Sequence, residues 1–264
     1  MRASDPTPGR RFPLVVLVLA FTVLAVSLVS AARPWAAPAS VGAADEGATG
    51  GEPALPPLAL PAAARVLIFG DSWVYGSAAE VPTLGFAYVL SDTMGWDATV
   101  DGIRGSGYLK AGIDGPDYGT RIAALDPSLD PDLIIVEGSI NDRRLYPDGY
   151  REAVGSAWDN LAATFPEASV VILGPAPHVL PVGAATTAID ADLATLAAAR
   201  GWWYVSPLTE GWIRPSNYFD VIDTGPGNDH PSTAGHAYLA ERLAASLAVL
   251  SELPEVSAEA PLGG

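Results

Sequence analysis

The stretch VLIFGDS at residues 66–72 decides how the fold of this chain is interpreted. Its four apolar residues, followed directly by glycine, predict a short buried β-strand over residues 65–70. Ser72 then comes at the carboxyl end of that strand, where open α/β sheets bind their ligands. A serine hydroxyl in that position is a candidate nucleophile when a base and donors for an oxyanion are also present.

Strand-like and helical patterns alternate from residue 65 onward. This alternation predicts a parallel sheet covered by helices on both faces. We therefore expect an α/β domain over 65–250, a flavodoxin-like three-layer α/β/α sandwich with a five-stranded parallel sheet. The predicted strands are 65–70, 98–101, 132–137, 168–173 and 202–206. The predicted helices are 83–94, 148–164, 186–200 and 232–250, with a shorter one at 117–126.

Two other segments carry residues that acyl-transfer chemistry needs. Asn141 lies in GSIND at 138–142, after the third predicted strand. The carboxyl ends of parallel strands meet at one edge of a sheet, so we expect Asn141 close to Ser72. His230 lies in DHP at 229–231, just before the last predicted helix.

Together these segments resemble the SGNH hydrolases, also called the GDSL esterase family. The GDS at 70–72 is similar to the family's nucleophile block, and GIRGSG at 102–107 to its glycine block. GSIND at 138–142 is similar to the Gly-x-Asn-Asp block with one extra residue, and HP at 230–231 to the final block. The resemblance covers roughly 65–250 and implies a carboxylic ester hydrolase that works through an acyl-serine, without a metal or organic cofactor.

The resemblance also implies a role for each site residue. Ser72 is the expected nucleophile and His230 the general base. The expected oxyanion donors are the backbone N–H groups of Ser72 and Gly105 and the side-chain amide of Asn141. Glycine suits position 105 physically, because a residue without a side chain lets the substrate approach the backbone. Gly102 and Gly107 in the same block are the alternatives for this role.

The chain has three histidines, so the choice of base is narrow. His236 falls inside the last predicted helix and is expected to be packed there. His178 follows the fourth predicted strand, where it could line the cleft, but a solvated loop is the expected position. His230 is therefore the candidate.

The residue that orients His230 stays open at this stage. The family usually has an aspartate three residues before its histidine, and this chain has Gly227 there. Asp223 and Asp229 are the candidate acids, and a main-chain carbonyl is the third option. Adjacent side chains in an extended segment point apart, which counts against Asp229. Asp223 needs the intervening loop to fold back over the ring.

The two ends of the chain differ from the predicted domain. Residues 1–32 hold three arginines and then an uncharged apolar run over 12–32, which predicts a signal peptide or an N-terminal membrane anchor. We expect a secreted protein, or one anchored to the outer face of the cytoplasmic membrane and contacting it only through 12–32. Residues 33–64 are rich in Pro, Ala and Gly and are predicted to be a linker. Residues 251–264 are predicted to be a flexible tail.

Composition excludes several classes of function. The chain has no cysteine, so disulfides, thiolate catalysis and thiolate metal sites are ruled out. A net charge of −16 disfavours nucleic acid, which requires cationic neutralisation of phosphates.

The expected substrate is an ester of a small molecule, a lipid or an acetylated carbohydrate. Two alternatives stay open: an acyltransferase that passes the acyl group to a glycan, and a non-catalytic carbohydrate-binding module on the same fold.

Overall fold

The computed structural model describes residues 55–59 and 61–252. A five-stranded sheet of order β2-β1-β3-β4-β5 forms the centre, and every neighbouring pair of strands is parallel. The strands are β1 (Arg65–Gly70), β2 (Asp97–Gly102), β3 (Leu133–Glu137), β4 (Ser169–Leu173) and β5 (Trp203–Val205). The predicted α/β fold with five parallel strands is confirmed.

Helices cover both faces of this sheet. They are α1 (Ser72–Tyr75), α2 (Phe86–Met94), α3 (Tyr118–Ala123), α4 (Tyr150–Thr164), α5 (Ala184–Ala198), α6 (Tyr218–Val221) and α7 (Thr233–Ser251). Successive side chains of a strand point to opposite faces. In β1, Val66 and Ile68 accordingly pack with α2 and α7, whereas Leu67 and Phe69 pack with α3, α4 and α5.

The strand order places a crevice where the sequence predicted a site. Strand β1 lies between β2 and β3, so the chain first moves to one side of β1 and then crosses to the other. Such a reversal opens a ligand site at the carboxyl ends of the strands. Ser72 follows β1 there, and Asn141 lies in the 3₁₀ turn Ile140–Arg144 that follows β3.

Two short strands, which the sequence did not predict, bring in the histidine. They are β6 (Ile222–Asp223) and β7 (His230–Pro231), and they pair antiparallel with Asp223 opposite His230. Each has only two residues, too few for a periodic pattern to be visible. The loop between them therefore folds back on itself, and α7 starts directly after it.

The boundary between predicted linker and domain needs a correction. Leu58 is only 2% exposed, and its N–H donates to the Leu250 carbonyl at 3.0 Å. Trp203 Nε1 donates to the Pro56 carbonyl at 3.2 Å. An apolar side chain and two backbone groups thus gain partners on the domain, so Pro56 and Leu58 of the predicted linker pack on the folded part.

The predicted export segment 1–32 lies outside the described residues, as do most of the linker and of the tail. Within residues 55–59 and 61–252, no helix is long and apolar enough to cross a membrane.

Candidate active site

The turn after β1 holds Ser72 in a buried position at the edge of the crevice. The Asp71 side chain caps α1 by accepting from the Trp73 N–H at 2.9 Å. Ser72, the first residue of α1, is 6% exposed. The turn is tight, because a Cβ added to Gly70 would lie 2.7 Å from Glu137 Oε2. Glycine at position 70 therefore lets β3 approach the turn.

Ser72 and His230 are in direct contact. The distance from Ser72 Oγ to His230 Nε2 is 2.9 Å. On the other side of the ring, His230 Nδ1 lies 2.9 Å from the Gly227 carbonyl and 3.0 Å from the Asn228 carbonyl. Carbonyl oxygens only accept, so Nδ1 carries the proton and Nε2 is free to accept from the serine hydroxyl. This is the tautomer that a general base needs.

Of the three options for orienting His230, this geometry shows the main-chain carbonyl and not the candidate acids Asp223 and Asp229. Among the residues that the structure describes, no carboxylate is hydrogen-bonded to the ring. The loop does fold back, but the Asp223 side chain accepts from the Gly225 N–H at 2.9 Å. Asn228 and Asp229 both have positive φ, 51° and 61°, and this turn points main-chain carbonyls at the ring. Asn and Asp adopt that region more readily than most residues.

Asn141 lies beside Ser72, but its amide already has partners. Asn141 Nδ2 donates to Asp71 Oδ2 at 2.6 Å and to the Ser106 carbonyl at 3.0 Å. An amide nitrogen has two hydrogens, so both are in use. Donation to an oxyanion therefore requires that the longer contact, to Ser106, be released.

The glycine block is packed behind Asn141. Gly105 has φ +75°, a conformation that favours glycine. It is absent from the described residues that line the cleft, so its closeness to the substrate stays a prediction. Asp142 accepts from the N–H groups of Tyr108 and Leu109 at 2.8 and 3.0 Å. Its carboxylate thereby joins the two residues that follow the glycine block to the turn that carries Asn141.

Sequence reasoning missed a buried charged network under Ser72. The Glu137 carboxylate accepts from the Asp71 N–H at 3.2 Å, and both residues are buried. Burial, and then the nearby Asp71 charge, raise the pKa of Glu137 well above its usual range. Arg121 donates to the Gly70 carbonyl and to Ser106 Oγ, each at 2.9 Å. A sequence signal for this network was Glu137 itself, a charged residue at the end of an otherwise apolar strand.

A cleft of about 430 Å³ opens beside the Ser72–His230 pair. Its lining residues are Ser72, Trp73, Ile140, Asn141, Arg143, Arg144, His178, Val179, Asn228, Asp229 and His230. His178 is half-buried and lines the cleft, which is the alternative to the solvated loop that was expected. Burial lowers the pKa of His178 to about 4, so the ring is neutral at pH 7.

His236 is packed as expected. Its Nδ1 accepts from the Phe86 N–H at 3.1 Å, and its Nε2 donates to the Ser77 carbonyl at 2.9 Å. Both ring nitrogens are satisfied, and burial lowers the pKa of His236 to about 4. Within residues 55–59 and 61–252, no group of three His, Asp or Glu side chains is placed to hold a metal ion.

Known proteins share both the sequence blocks and the fold. The model of the GDSL-like lipase/acylhydrolase family matches residues 68–238. A GDSL lipase of Mycobacterium tuberculosis is 29% identical over 150 residues. That match covers 54% of this chain and 62% of the lipase, so the chain spans less than two thirds of the lipase's length.

Two solved structures have a similar fold. A protein of the G-D-S-L family from Desulfitobacterium hafniense has a TM-score of 0.56 and 15% identity, over 69% of this chain and 98% of its own. A two-domain esterase active on acetylated mannans, co-crystallised with mannopentaose, has a TM-score of 0.52 and 22% identity, over 75% of this chain and 53% of its own. At these identities the likeness concerns the fold alone. The family match, which spans all four sequence blocks, shows that the chain belongs to the GDSL-like lipase/acylhydrolase family.

Proposed function

We propose that this protein is a serine esterase that hydrolyses a carboxylic ester through an acyl-Ser72 intermediate. The observation that carries the proposal is the contact of 2.9 Å between Ser72 Oγ and His230 Nε2, with Nδ1 held by two carbonyls. A hydroxyl, a correctly protonated base and nearby N–H donors are the parts that acyl transfer requires.

Acylation starts when the hydroxyl proton of Ser72 moves to His230 Nε2. Ser72 Oγ then bonds to the carbonyl carbon of the ester, and the carbonyl oxygen takes up the negative charge. The N–H groups of Ser72 and Gly105 and the Asn141 amide stabilise that oxygen, the amide after releasing Ser106. One such donor is worth about 10²–10³ in kcat. The protonated His230 then gives its proton to the alcohol as that group leaves.

Deacylation repeats these steps with water. His230 Nε2 takes a proton from a water molecule, whose oxygen attacks the acyl carbon. The bond to Ser72 Oγ breaks, the carboxylic acid is released, and His230 returns the proton to Ser72. A sugar hydroxyl in place of water would give the acyltransferase reaction.

The carbonyl contacts support a catalytic function over a non-catalytic binding module. The feature that favours the non-catalytic alternative is the glycine at position 227, where the family usually has an aspartate. Gly227 supplies its carbonyl to the His230 ring, so the ring has a partner without that aspartate.

Export remains part of the proposal. Its support is the pattern of residues 1–32, in which arginines precede an uncharged apolar run. Fractionation of the native host tests it. We expect the protein outside the cytoplasm, as a cleaved soluble form or in the membrane fraction with its N-terminus retained. Cytosolic protein with residues 1–32 intact would contradict export.

Ester hydrolysis by the full-length chain tests the proposed activity. We expect turnover within a series of 4-nitrophenyl esters of increasing acyl length. Ser72→Ala should lower kcat by about 10⁴-fold or more, as loss of a serine nucleophile does elsewhere. Ser77→Ala is the matched control, because the Ser77 hydroxyl is buried without a partner among the described residues. Retention of activity by Ser72→Ala, within tenfold of wild type, would contradict the proposal.

A further inference from the structure

One wall of the cleft carries two adjacent arginines. Arg143 and Arg144 follow Asn141 in the same 3₁₀ turn, and both line the cleft with Ser72 and His230. Arg143 is half-buried and Arg144 is exposed. Because one turn carries all three residues, it places the backbones of both arginines close to that of the candidate oxyanion donor.

Neither arginine forms an ion pair with a carboxylate in the part of the chain that the structure describes. This is unusual here, since the chain has 30 acidic residues against 14 basic ones. The arginines that do pair with a carboxylate are Arg65, Arg104, Arg121, Arg151, Arg200 and Arg242. Of the described cations without an ion pair, Arg143 and Arg144 are adjacent and line the cleft, whereas Lys110 and Arg214 do not line it.

The local chemistry leaves these cations free to bind an anion. Arg143 Nη1 donates to the Ile140 carbonyl at 2.9 Å, which uses one of five guanidinium N–H groups. Burial, and then the charge of Arg144, lower the pKa of Arg143, so the pair is electrostatically unfavourable by itself. His178 adds no charge at pH 7. Asp229 is the single acidic residue among the described residues that line the cleft, and the Asp71 charge acts on Arg143 in the opposite sense to burial, raising its pKa.

We infer that the cleft selects esters that carry an anionic group, a carboxylate or a phosphate, bound by Arg143 and Arg144. Guanidinium groups bind both anions through paired, charge-assisted hydrogen bonds. The inference rests on the proposed function, since it names the substrate class of the same site.

Binding to the full-length Ser72→Ala protein tests this inference without turnover. The probes are 3-acetoxybenzoate, 3-acetoxyphenyl phosphate and the neutral methyl 3-acetoxybenzoate, measured by calorimetry at low salt. We expect at least one anionic probe to bind about tenfold or more tightly than the neutral ester, since charge-assisted hydrogen bonds are the strong ones. The two anionic probes distinguish a carboxylate site from a phosphate site.

Substitution of the arginines locates the preference. Arg143→Gln/Arg144→Gln, added to Ser72→Ala, should reduce the anionic-over-neutral ratio about tenfold. Arg144→Gln alone should reduce the anionic-over-neutral ratio about threefold. Because Arg144 is exposed, we expect this variant to fold like the parent protein. Arg214→Gln is the matched control, because Arg214 also has no carboxylate partner in the described part and does not line the cleft. It should leave the ratio unchanged.

Equal binding of anionic and neutral probes, binding of neither anionic probe, or a preference that survives the double substitution would overturn the inference. Turnover by wild type separates this failure from failure of the proposed function. Hydrolysis of the neutral ester without anion preference would overturn only the inference. Preferential binding of an anionic ester that wild type never hydrolyses would support the anion site and count against the esterase proposal.

Discussion

The two halves of the candidate site are built in different ways. In the nucleophile half, Asp71, Ser72 and Asn141 are held by side chains, with the buried Glu137 and Arg121 beneath them. In the histidine half, His230 is held by main-chain carbonyls of the turn 225–229. The first half lies at the ends of central strands, and the second lies in a partly exposed loop.

This difference determines which substitutions each half tolerates. A contact made by a side chain is lost when that side chain is removed, and a buried polar partner left behind costs about 1–3 kcal/mol. A contact made by a carbonyl survives any substitution that keeps the backbone conformation. We therefore expect the nucleophile half to depend on residue identity and the turn before His230 to depend on conformation.

The largest loss of activity should come from substitution of His230, because its ring contacts Ser72 on one side and the turn carbonyls on the other. His230→Ala removes the base and should lower kcat by about 10⁴-fold or more, as loss of the triad histidine does elsewhere. His178→Ala should cost less than about tenfold, because His178 lines the cleft without contacting Ser72. Steady-state kinetics on the best ester compares the two. Similar losses in both variants would argue that His230 is not the base.

A second pair of asparagine substitutions contrasts the halves directly. Asn141→Ala should lower kcat by about 10²–10³ through loss of an oxyanion donor. Asn228→Gly should stay within about threefold of wild type, because glycine keeps both the carbonyl and the positive φ. A loss of kcat in Asn228→Gly as large as that in Asn141→Ala would show that the turn depends on its side chains too.

A smaller effect concerns stability and pH in the nucleophile half. Burial raises the pKa of Glu137 in the folded protein, so the folded state binds its proton more tightly than the unfolded state. The resulting stability is present below the ordinary carboxyl pKa of about 4.3 and is lost as pH rises toward the folded pKa, at up to about 1.4 kcal/mol per pH unit. Glu137→Gln should flatten this slope, as measured by denaturant unfolding between pH 4.5 and 7. Exposed Glu152→Gln is the control. Equal slopes in wild type and Glu137→Gln would contradict the expectation.

The sequence could predict the nucleophile half because strand ends determine it. The apolar runs before Ser72 and Asn141 identify β1 and β3, and parallel pairing then brings their carboxyl ends together. The histidine half was harder, because β6 and β7 have two residues each and the ring's partners are backbone atoms. A carbonyl has no residue letter, so the search for an acid led to Asp223 and Asp229.

Long-range side-chain contacts were also beyond the sequence. Arg121 reaches the Gly70 carbonyl and Ser106 from α3, which a single helical pattern does not reveal. The packing of Leu58 on the domain depends on contacts with the end of α7, so the Pro-rich composition around it predicted a linker instead. Both cases concern residues whose partners lie far away along the chain.

The most direct test of the account is the rate at which a fluorophosphonate labels Ser72, located by peptide mass spectrometry. This rate reports activation of the serine by His230 without requiring the natural substrate. A carboxylate that orients the base in the well-studied serine triad is worth about 10⁴ in kcat. We predict that the double variant Asp223→Asn/Asp229→Asn is labelled at Ser72 within about tenfold of the wild-type rate. His230→Ala should be labelled more slowly than wild type by a factor of at least about 10³. Labelling at another residue, or a double variant as slow as His230→Ala, would contradict the account.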